Sequence, residues 1–345
     1  MGILTGYAGT YESAQSFGIY RFTIDGETGA LTEPKLYYPA PNAKYVSLQK
    51  GKIAAPVERH KRAGICLVDL SAKDPAAEVF CEEQTACYVI QDGPRIYTAN
   101  YHEGTVMVYE AQDKPGKEQD KSGKGLRLLK RIRIAPAAGC HQVILHGQYL
   151  LVPCLELDKI RIFDGSRNYE PAGEISFPAG SGPRHGIFNR DHTRFYLVTE
   201  RSNELYTFRV DENAGFYQLD SRSVLPEKGT REDDTAALRI SPDERFLYVS
   251  TRGSDLLSVF SLEDELPEAV QFVSCGGRHP RDFAIVPGGK FLLVANRFSN
   301  NLICFRLGGR TGRIKEICDA VTLDEAVSIV FDPESRKAEE SYEGK

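Results

Sequence analysis

One hairpin pattern, written three times, limits what this chain can become. The stretch Phe195-Tyr-Leu-Val-Thr-Glu-Arg-Ser-Asn-Glu-Leu-Tyr-Thr-Phe208 alternates apolar residues on either side of a polar turn. The pattern returns from Phe246 to Phe260 and again from Phe291 to Phe305. Alternation with a period of two marks strands, and the Ser, Asn, Asp and Gly between them mark tight turns. Such a hairpin cannot bury its apolar face alone, so recurring copies must pack against one another.

Weaker copies precede these three. The last apolar residue of each second strand falls at Phe22, Val68, Tyr109, Phe163, Phe208, Phe260 and Phe305, at intervals of 46, 41, 54, 45, 52 and 45 residues. Seven units of this length, containing strands alone, predict an all-β, seven-bladed β-propeller with four-stranded antiparallel blades. In the fifth unit the strands read Arg184 to Phe188, Phe195 to Glu200, Leu205 to Val210 and about Tyr217 to Val224. The sixth reads Ala236 to Ile240, Phe246 to Thr251, Leu256 to Leu262 and Val270 to Ser274. The bends between first and second strands carry Asn189 to His192, Ser241 to Glu244 and Pro287 to Gly289. These residue types supply tight turns.

The ends of the chain complete the ring. Ile3 to Gly9, Gly18 to Ile24 and Ala30 to Tyr38 give three strands of one blade without its first. Ala326 to Phe331 is an orphan strand that fits the gap, so pairing of the N- and C-terminal strands is expected to close the ring and remove its exposed edge. The expectation is one domain over residues 1–336, with a charged tail over 337–345. Of two insertions, Asp113 to Gly125 reads as a solvated loop, and Glu227 to Asp234 lengthens the connection from one blade's last strand to the next blade's first.

Composition excludes several functions. Lys and Arg number 43 against 48 Asp and Glu, a formal charge of −5, which argues against nucleic-acid binding. No apolar run approaches the roughly 18 residues of a membrane span. The opening residues lack a charged leader followed by an apolar core, so no signal peptide is expected. None of the eight Cys forms C-x-x-C spacing, and most lie in apolar strands. Free thiols in a reducing cytoplasm, and no structural metal, are the expectation.

In a propeller blade the start of the first strand and the end of the second meet at one mouth of the central channel. First strands begin at Cys140-His141, Pro183-Arg184-His185 and His279-Pro280-Arg281-Asp282. Second strands end at Glu58, Tyr101-His102, Glu200-Arg201, Arg252 and Arg297. Glu200, Arg252 and Arg297 occupy equivalent places in successive hairpins. Scattered surface charges should not track one face in this way. Structural alternatives stand beside this reading: packing for His141, blade-to-blade hydrogen bonding for His185, ion pairing for Glu200 with Arg252. His60, His102, His146 and His192 read as surface or turn residues.

These residues carry a resemblance. Gly6 to Tyr11, Gly18 to Phe22, Thr28 to Leu31, Val152 to Phe163, Gly182 to His185, Ala237 to Asp243 and Pro280 to Ala284, in order and at blade spacing, resemble the seven-bladed lactonase family of the cycloisomerase-type 6-phosphogluconolactonases. The resemblance spans nearly the whole chain. It implies hydrolysis of a sugar lactone, most of all 6-phospho-D-glucono-1,5-lactone, without a cofactor or metal. A related lactonising enzyme combines a His, two Arg and a Glu, which fall here on His141, Arg184, Glu200 and Arg252. On this reading His141 is the general base. Glu200 orients it or serves as base itself. Arg184 and Arg252 stabilise the oxyanion. His185, Arg281 and Arg297 receive a phosphate, and Glu58 and Tyr101 complete the substrate contacts. The second unit departs from the pattern, with Gln49-Lys-Gly-Lys52 at one turn and a basic Arg59 to Gly64 loop at the next. The alternatives are a muconate-type lactonising cycloisomerase and a propeller that docks other proteins.

Overall fold

The computed structural model describes residues 2–72, 76–112, 125–211, 215–226, 229–230 and 232–333. These residues form twenty-eight strands in seven separate four-stranded antiparallel sheets, an all-β seven-bladed propeller. Helical structure among them is two three-residue 3₁₀ turns, Leu155–Leu157 and Gly165–Arg167. No helix among them is long and apolar enough to cross a membrane. The expected tail, most of the first insertion and positions 227, 228 and 231 of the second lie outside the described residues.

Blade five shows how the repeat folds. It comprises β16 (Pro183–Phe188), β17 (Arg194–Thr199), β18 (Glu204–Val210) and β19 (Phe216–Ser223). The inner strands are covered on both faces by neighbouring blades, so even their polar alternates are buried: Thr199 and Thr207 are fully enclosed. A two-sided strand tolerates small hydroxyl residues there, where a one-sided sheet would leave them wet. The outer β19 is exposed along most of its length. The seven hairpin residues from Phe22 to Phe305 are each 0 to 3 % exposed and lie in the core between blades. Full burial of one such side chain is worth about 1.5–3 kcal/mol.

The ring closes as expected. β28 (Ala326–Phe331) pairs antiparallel with β1 (Ile3–Thr10), from Gly6 opposite Phe331 to Thr10 opposite Ala326. Phe22 of β2 (Gly18–Asp25) meets Phe331 edge-on at 5.9 Å. The outer strand of this blade, β3 (Lys35–Pro39), begins later than Ala30, and Leu31 makes an isolated bridge to Ile24.

Blade two corrects the reading of a basic loop at the rim. β5 (Lys52–Arg59) and β6 (Arg62–Asp69) run up to a two-residue turn, with Arg59 opposite Arg62. His60 and Lys61 both sit at positive φ, 51° and 60°, the backbone of a type I′ hairpin. Arg59 turns outward to the Glu78 carboxylate at 2.7 Å.

One irregularity recurs where the inner strands begin. Pro183 faces Thr199 and His185 faces Val198, so Arg184 is an extra residue on β16. Pro280 faces Asn296 and Asp282 faces Ala295, which leaves Arg281 extra on β24 (Pro280–Ile285). β20 (Asp234–Ile240) gains a residue between Thr235 and Leu238, and β28 gains Val327. A bulge re-aims the extra side chain and sharpens the local twist. Here it turns the strand starts of four blades at the channel mouth.

If β28 holds the ring shut, Ile329→Ala should cost about 2–5 kcal/mol, because Ile329 is 3 % exposed within the closing blade's core. Urea unfolding measures this; a loss under about 0.5 kcal/mol would show that the closing strand carries little of the stability.

Candidate active site

Glu200 follows β17 and is fixed by its own backbone. Its N–H donates to Gly182 O at 2.7 Å and its carbonyl accepts from Thr235 N at 3.0 Å, joining blades five and six. Arg184, from the bulge of the same blade, donates from Nε to Glu200 Oε2 at 2.7 Å and from Nη1 to the carbonyl of Ala236. Arg252 closes β21 (Phe246–Arg252) in blade six. Its Nη2 stands 2.8 Å from the same Glu200 Oε2, and its Nε donates to Asp234 O at 3.1 Å. One carboxylate oxygen thus holds two guanidiniums, and no partner among the described residues engages Glu200 Oε1. Burial pushes the Glu200 carboxyl up, but Arg184, Arg252 and Arg281 outweigh it and hold it below the usual carboxylate range. Glu200 is ionised at neutral pH.

His141 enters from blade four. Gly139, at φ +71°, turns the chain into the site, and a Cβ there would stand 2.8 Å from Glu156 N. Cys140 bridges Cys154, and His141 N donates to Pro153 O at 3.0 Å. The imidazole is 5 % exposed. Its Nδ1 lies 3.1 Å from Nε2 of His185. Burial, then the charges of Arg184, His185, Arg281 and Arg252, push the His141 pKa well below 6.5. His141 is therefore neutral, and its Nε2 has no partner among the described residues.

These groups meet at a pocket of about 180 Å³ at one mouth of the channel. His141, Glu200, Arg252, Arg281 and Tyr101 line it, as the strand-end argument expects. Tyr101 donates to Glu156 Oε1 at 2.5 Å, and Arg201 pairs with the same oxygen at 2.6 Å, which braces the wall across blades three to five. Arg184 is 1 % exposed and lies outside the lining, under Glu200. Its guanidinium is engaged by the Glu200 carboxylate and the Ala236 carbonyl.

Other expected contacts are placed elsewhere. His185 lies deeper on the axis, with the rings of Tyr45 and Tyr88 at 6.3 and 5.8 Å, and does not line the pocket. Arg297 pairs with Glu325 at 2.6 Å and packs over Tyr11 at 4.2 Å, behind the wall. Glu58 accepts from Asn42 at 3.2 Å, away from the pocket.

The lining also holds Tyr11, Lys44, Thr85 and Cys87, which are not among the expected site residues, and His102, expected at the surface or in a turn. The signal was present. Tyr11 ends a second strand as Tyr101 does, and Lys44, Thr85 and Cys87 precede the first strands of blades two and three. Those blades lack the Pro-Arg motif that marks the strand starts at Pro183 and Pro280. Burial pushes the Cys87 thiol up, which makes it a poor nucleophile.

Charge in the pocket is unbalanced. Lys44, Arg252 and Arg281 line it against one carboxylate, Glu200. Among the described residues Arg281 has no carboxylate partner, and Lys44 reaches only the Thr85 carbonyl at 3.4 Å and the Tyr11 ring at 5.6 Å. Low-dielectric walls focus such a field, so the pocket attracts anions. No three His, Cys, Asp or Glu side chains among the described residues are grouped to share a metal ion.

Fold and pocket together define a β-propeller with a small cationic site on its axis. Residues 5–331 match the family described as lactonase, 7-bladed beta-propeller. The chain belongs to that family. A Bacillus subtilis protein named 6-phosphogluconolactonase is 31 % identical over 345 residues, covering 94 % of this chain and 97 % of that one. A solved Lactobacillus plantarum protein matches with a TM-score of 0.86 at 26 % identity, over 96 % of this chain and 99 % of that one. The periplasmic gluconolactonase of Pseudomonas aeruginosa shares the fold, with a TM-score of 0.84 at 24 % identity over 96 % and 99 % of the two chains.

The buried neutral histidine has a measurable consequence. Unfolded, His141 titrates near 6.5; folded, its pKa is depressed. Its contribution is intact above about pH 6.5 and is lost as pH falls, because the unfolded chain then binds a proton the folded chain does not, at about 1.4 kcal/mol per pH unit. His141→Phe removes that proton. Between pH 7 and 5.5 the wild type should lose about 1 kcal/mol more stability than the variant, read from urea unfolding. Parallel losses would show that His141 is protonated in the fold.

Proposed function

We propose that this protein hydrolyses a sugar lactone, and that the preferred lactone carries a phosphate, as in 6-phospho-D-glucono-1,5-lactone. The observation that carries this reading is the pocket in which neutral His141 and ionised Glu200 face a space lined by Lys44, Arg252 and Arg281. Family membership and the name of the Bacillus subtilis relative support it.

Lactone hydrolysis needs an acceptor for a water proton, a donor for the oxyanion, and a proton for the departing ring oxygen. Glu200 Oε1 and His141 Nε2 are proton-transfer positions at the pocket that have no hydrogen-bond partner among the described residues. Arg252, at the pocket wall, stabilises negative charge as it develops on the carbonyl oxygen. Arg184 holds the Glu200 carboxylate in place from beneath. Lys44 and Arg281 receive the phosphate, the ammonium as a point charge and the guanidinium as a planar donor. Tyr11, packed against Lys44 and Arg281 at 5.6 and 5.5 Å, keeps both directed at the pocket. This scheme uses no metal ion, and the product is the open-chain hydroxy acid.

The deciding assay follows hydrolysis of freshly generated 6-phosphogluconolactone beside glucono-δ-lactone, each against its spontaneous rate, with EDTA present. The expected outcome is strong acceleration of the phosphorylated lactone. Acceleration of neither would reject the reading and favour lactonisation of a dicarboxylate in the same pocket. Arg281→Ala should raise KM for the phosphorylated lactone by about tenfold or more, with little change toward the unphosphorylated one. Equal effects on both would remove Arg281 from the phosphate site. His141→Ala should lower kcat by about 10²-fold or more while the far-UV spectrum stays that of a β-protein.

A further inference from the structure

His185 is buried beside His141 yet is not part of the lining of the pocket described above. It is 3 % exposed. Its Nε2 lies 3.1 Å from Nδ1 of His141, and its Nδ1 is buried with no hydrogen-bond partner. One proton occupies the space between the two rings. Which ring owns it decides what His141 shows to the pocket.

Two arrangements are available to a neutral pair. In the first, His141 donates from Nδ1. His185 then carries its own proton on Nδ1, a buried N–H with no acceptor, and His141 presents a bare Nε2. In the second, His185 donates from Nε2. Its Nδ1 is then a lone pair, and His141, accepting at Nδ1, carries its proton on Nε2.

Three considerations favour the second. Orphaned buried N–H groups are rarer in proteins than under-satisfied acceptors. The charges acting on His185 are those of Arg184, Arg239, Arg281 and Arg252, and a lone pair is better placed among guanidiniums than an N–H. The second arrangement also gives both rings the Nε2–H form that an isolated imidazole side chain prefers.

We infer that His185 is a positioning residue: it donates from Nε2 to Nδ1 of His141 and so holds His141 as the tautomer that presents an Nε2–H to the pocket. Its consequence for catalysis rests on the lactonase reading. His141 is then a neutral hydrogen-bond donor to the carbonyl oxygen, and the expected general-base role passes to Glu200. Glu200 Oε1, ionised and unengaged, accepts a proton from the attacking water as the water oxygen bonds to the lactone carbon. The oxyanion that forms is held by the His141 N–H and Arg252. On collapse the carbon–ring-oxygen bond breaks, and the proton held by Glu200 passes to the departing ring oxygen. Atoms and charge balance with water as the one co-substrate.

The test reads the tautomer directly. Long-range ¹H–¹⁵N correlation spectra of the histidine-labelled protein at pH 7.5, with His141 and His185 assigned by substitution, should show both rings protonated on Nε2 alone. A proton on Nδ1 of His141 would overturn the inference. This arm needs no activity, so it stands even if the protein hydrolyses no lactone. Kinetics supply the second arm. His185→Leu removes the donor and should lower kcat by about 10²-fold or more with KM little changed, the signature of a wrong tautomer. His185→Gln places an amide N–H near the former Nε2 and should recover most of that loss. Equal kcat for the two variants, or a loss confined to KM, would also overturn it. If the Leu variant does not fold, the wild-type spectrum decides.

Discussion

Everything in this molecule depends on the ring being closed. Seven sheets that each bury both faces of their inner strands cannot stop at six neighbours; the last blade would present an apolar wall and an unpaired strand edge to water. The β28–β1 pairing removes both, with main-chain hydrogen bonds that no side chain needs to specify. Closure also fixes the axis. Once the inner strands radiate from one line, their starts and the ends of their neighbours share a single mouth, and residues 237 positions apart, Lys44 and Arg281, line one pocket.

The mouth is polar because the backbone there is irregular. A bulge at Arg184 and another at Arg281 take one residue of each inner strand out of the ladder. The equivalent place in blade six holds Ala236, whose small side chain leaves its carbonyl within reach of Arg184. Glu200 and Arg252, equivalent ends of adjacent second strands, then meet across the blade boundary. Buried charges are expensive unless paired and hydrogen-bonded. Here one carboxylate oxygen pairs with both guanidiniums, through a hydrogen bond from Arg184 and an ion contact with Arg252 whose Nη2 has no hydrogen-bond partner among the described residues, and the other oxygen and the third arginine stay unengaged.

Aromatic rings narrow the channel at mid-depth. Tyr45, Tyr88 and His185 pack at its waist, between the upper pocket and a lower, largely apolar cavity of about 440 Å³. The Arg239–Asp282 pair, 2.6 Å apart, stands at the same level. Packing at the waist helps bury His141 and His185 and keeps them neutral, since burial and the neighbouring guanidiniums both disfavour imidazolium there. A charged cluster and two uncharged histidines thus follow from the same packing.

Period and pattern alone determined the ring. Seven hairpin ends spaced at 41 to 54 residues, and an orphan strand at Ala326, leave few other ways to bury the apolar faces. Strand direction added which ends must meet, and with it His141, Glu200, Arg252, Arg281 and Tyr101 at one mouth. It did not distinguish depth. His185, Arg184, Arg297 and Glu58 share the strand-end signature, yet tertiary packing sets His185 on the axis below, Arg184 beneath Glu200, and the other two against Glu325 and Asn42. Depth is decided by bulges, by which carboxylate reaches a guanidinium first, and by rings such as Tyr45 that fill the waist. These are contacts between blades far apart in the chain, and a one-dimensional period carries no record of them.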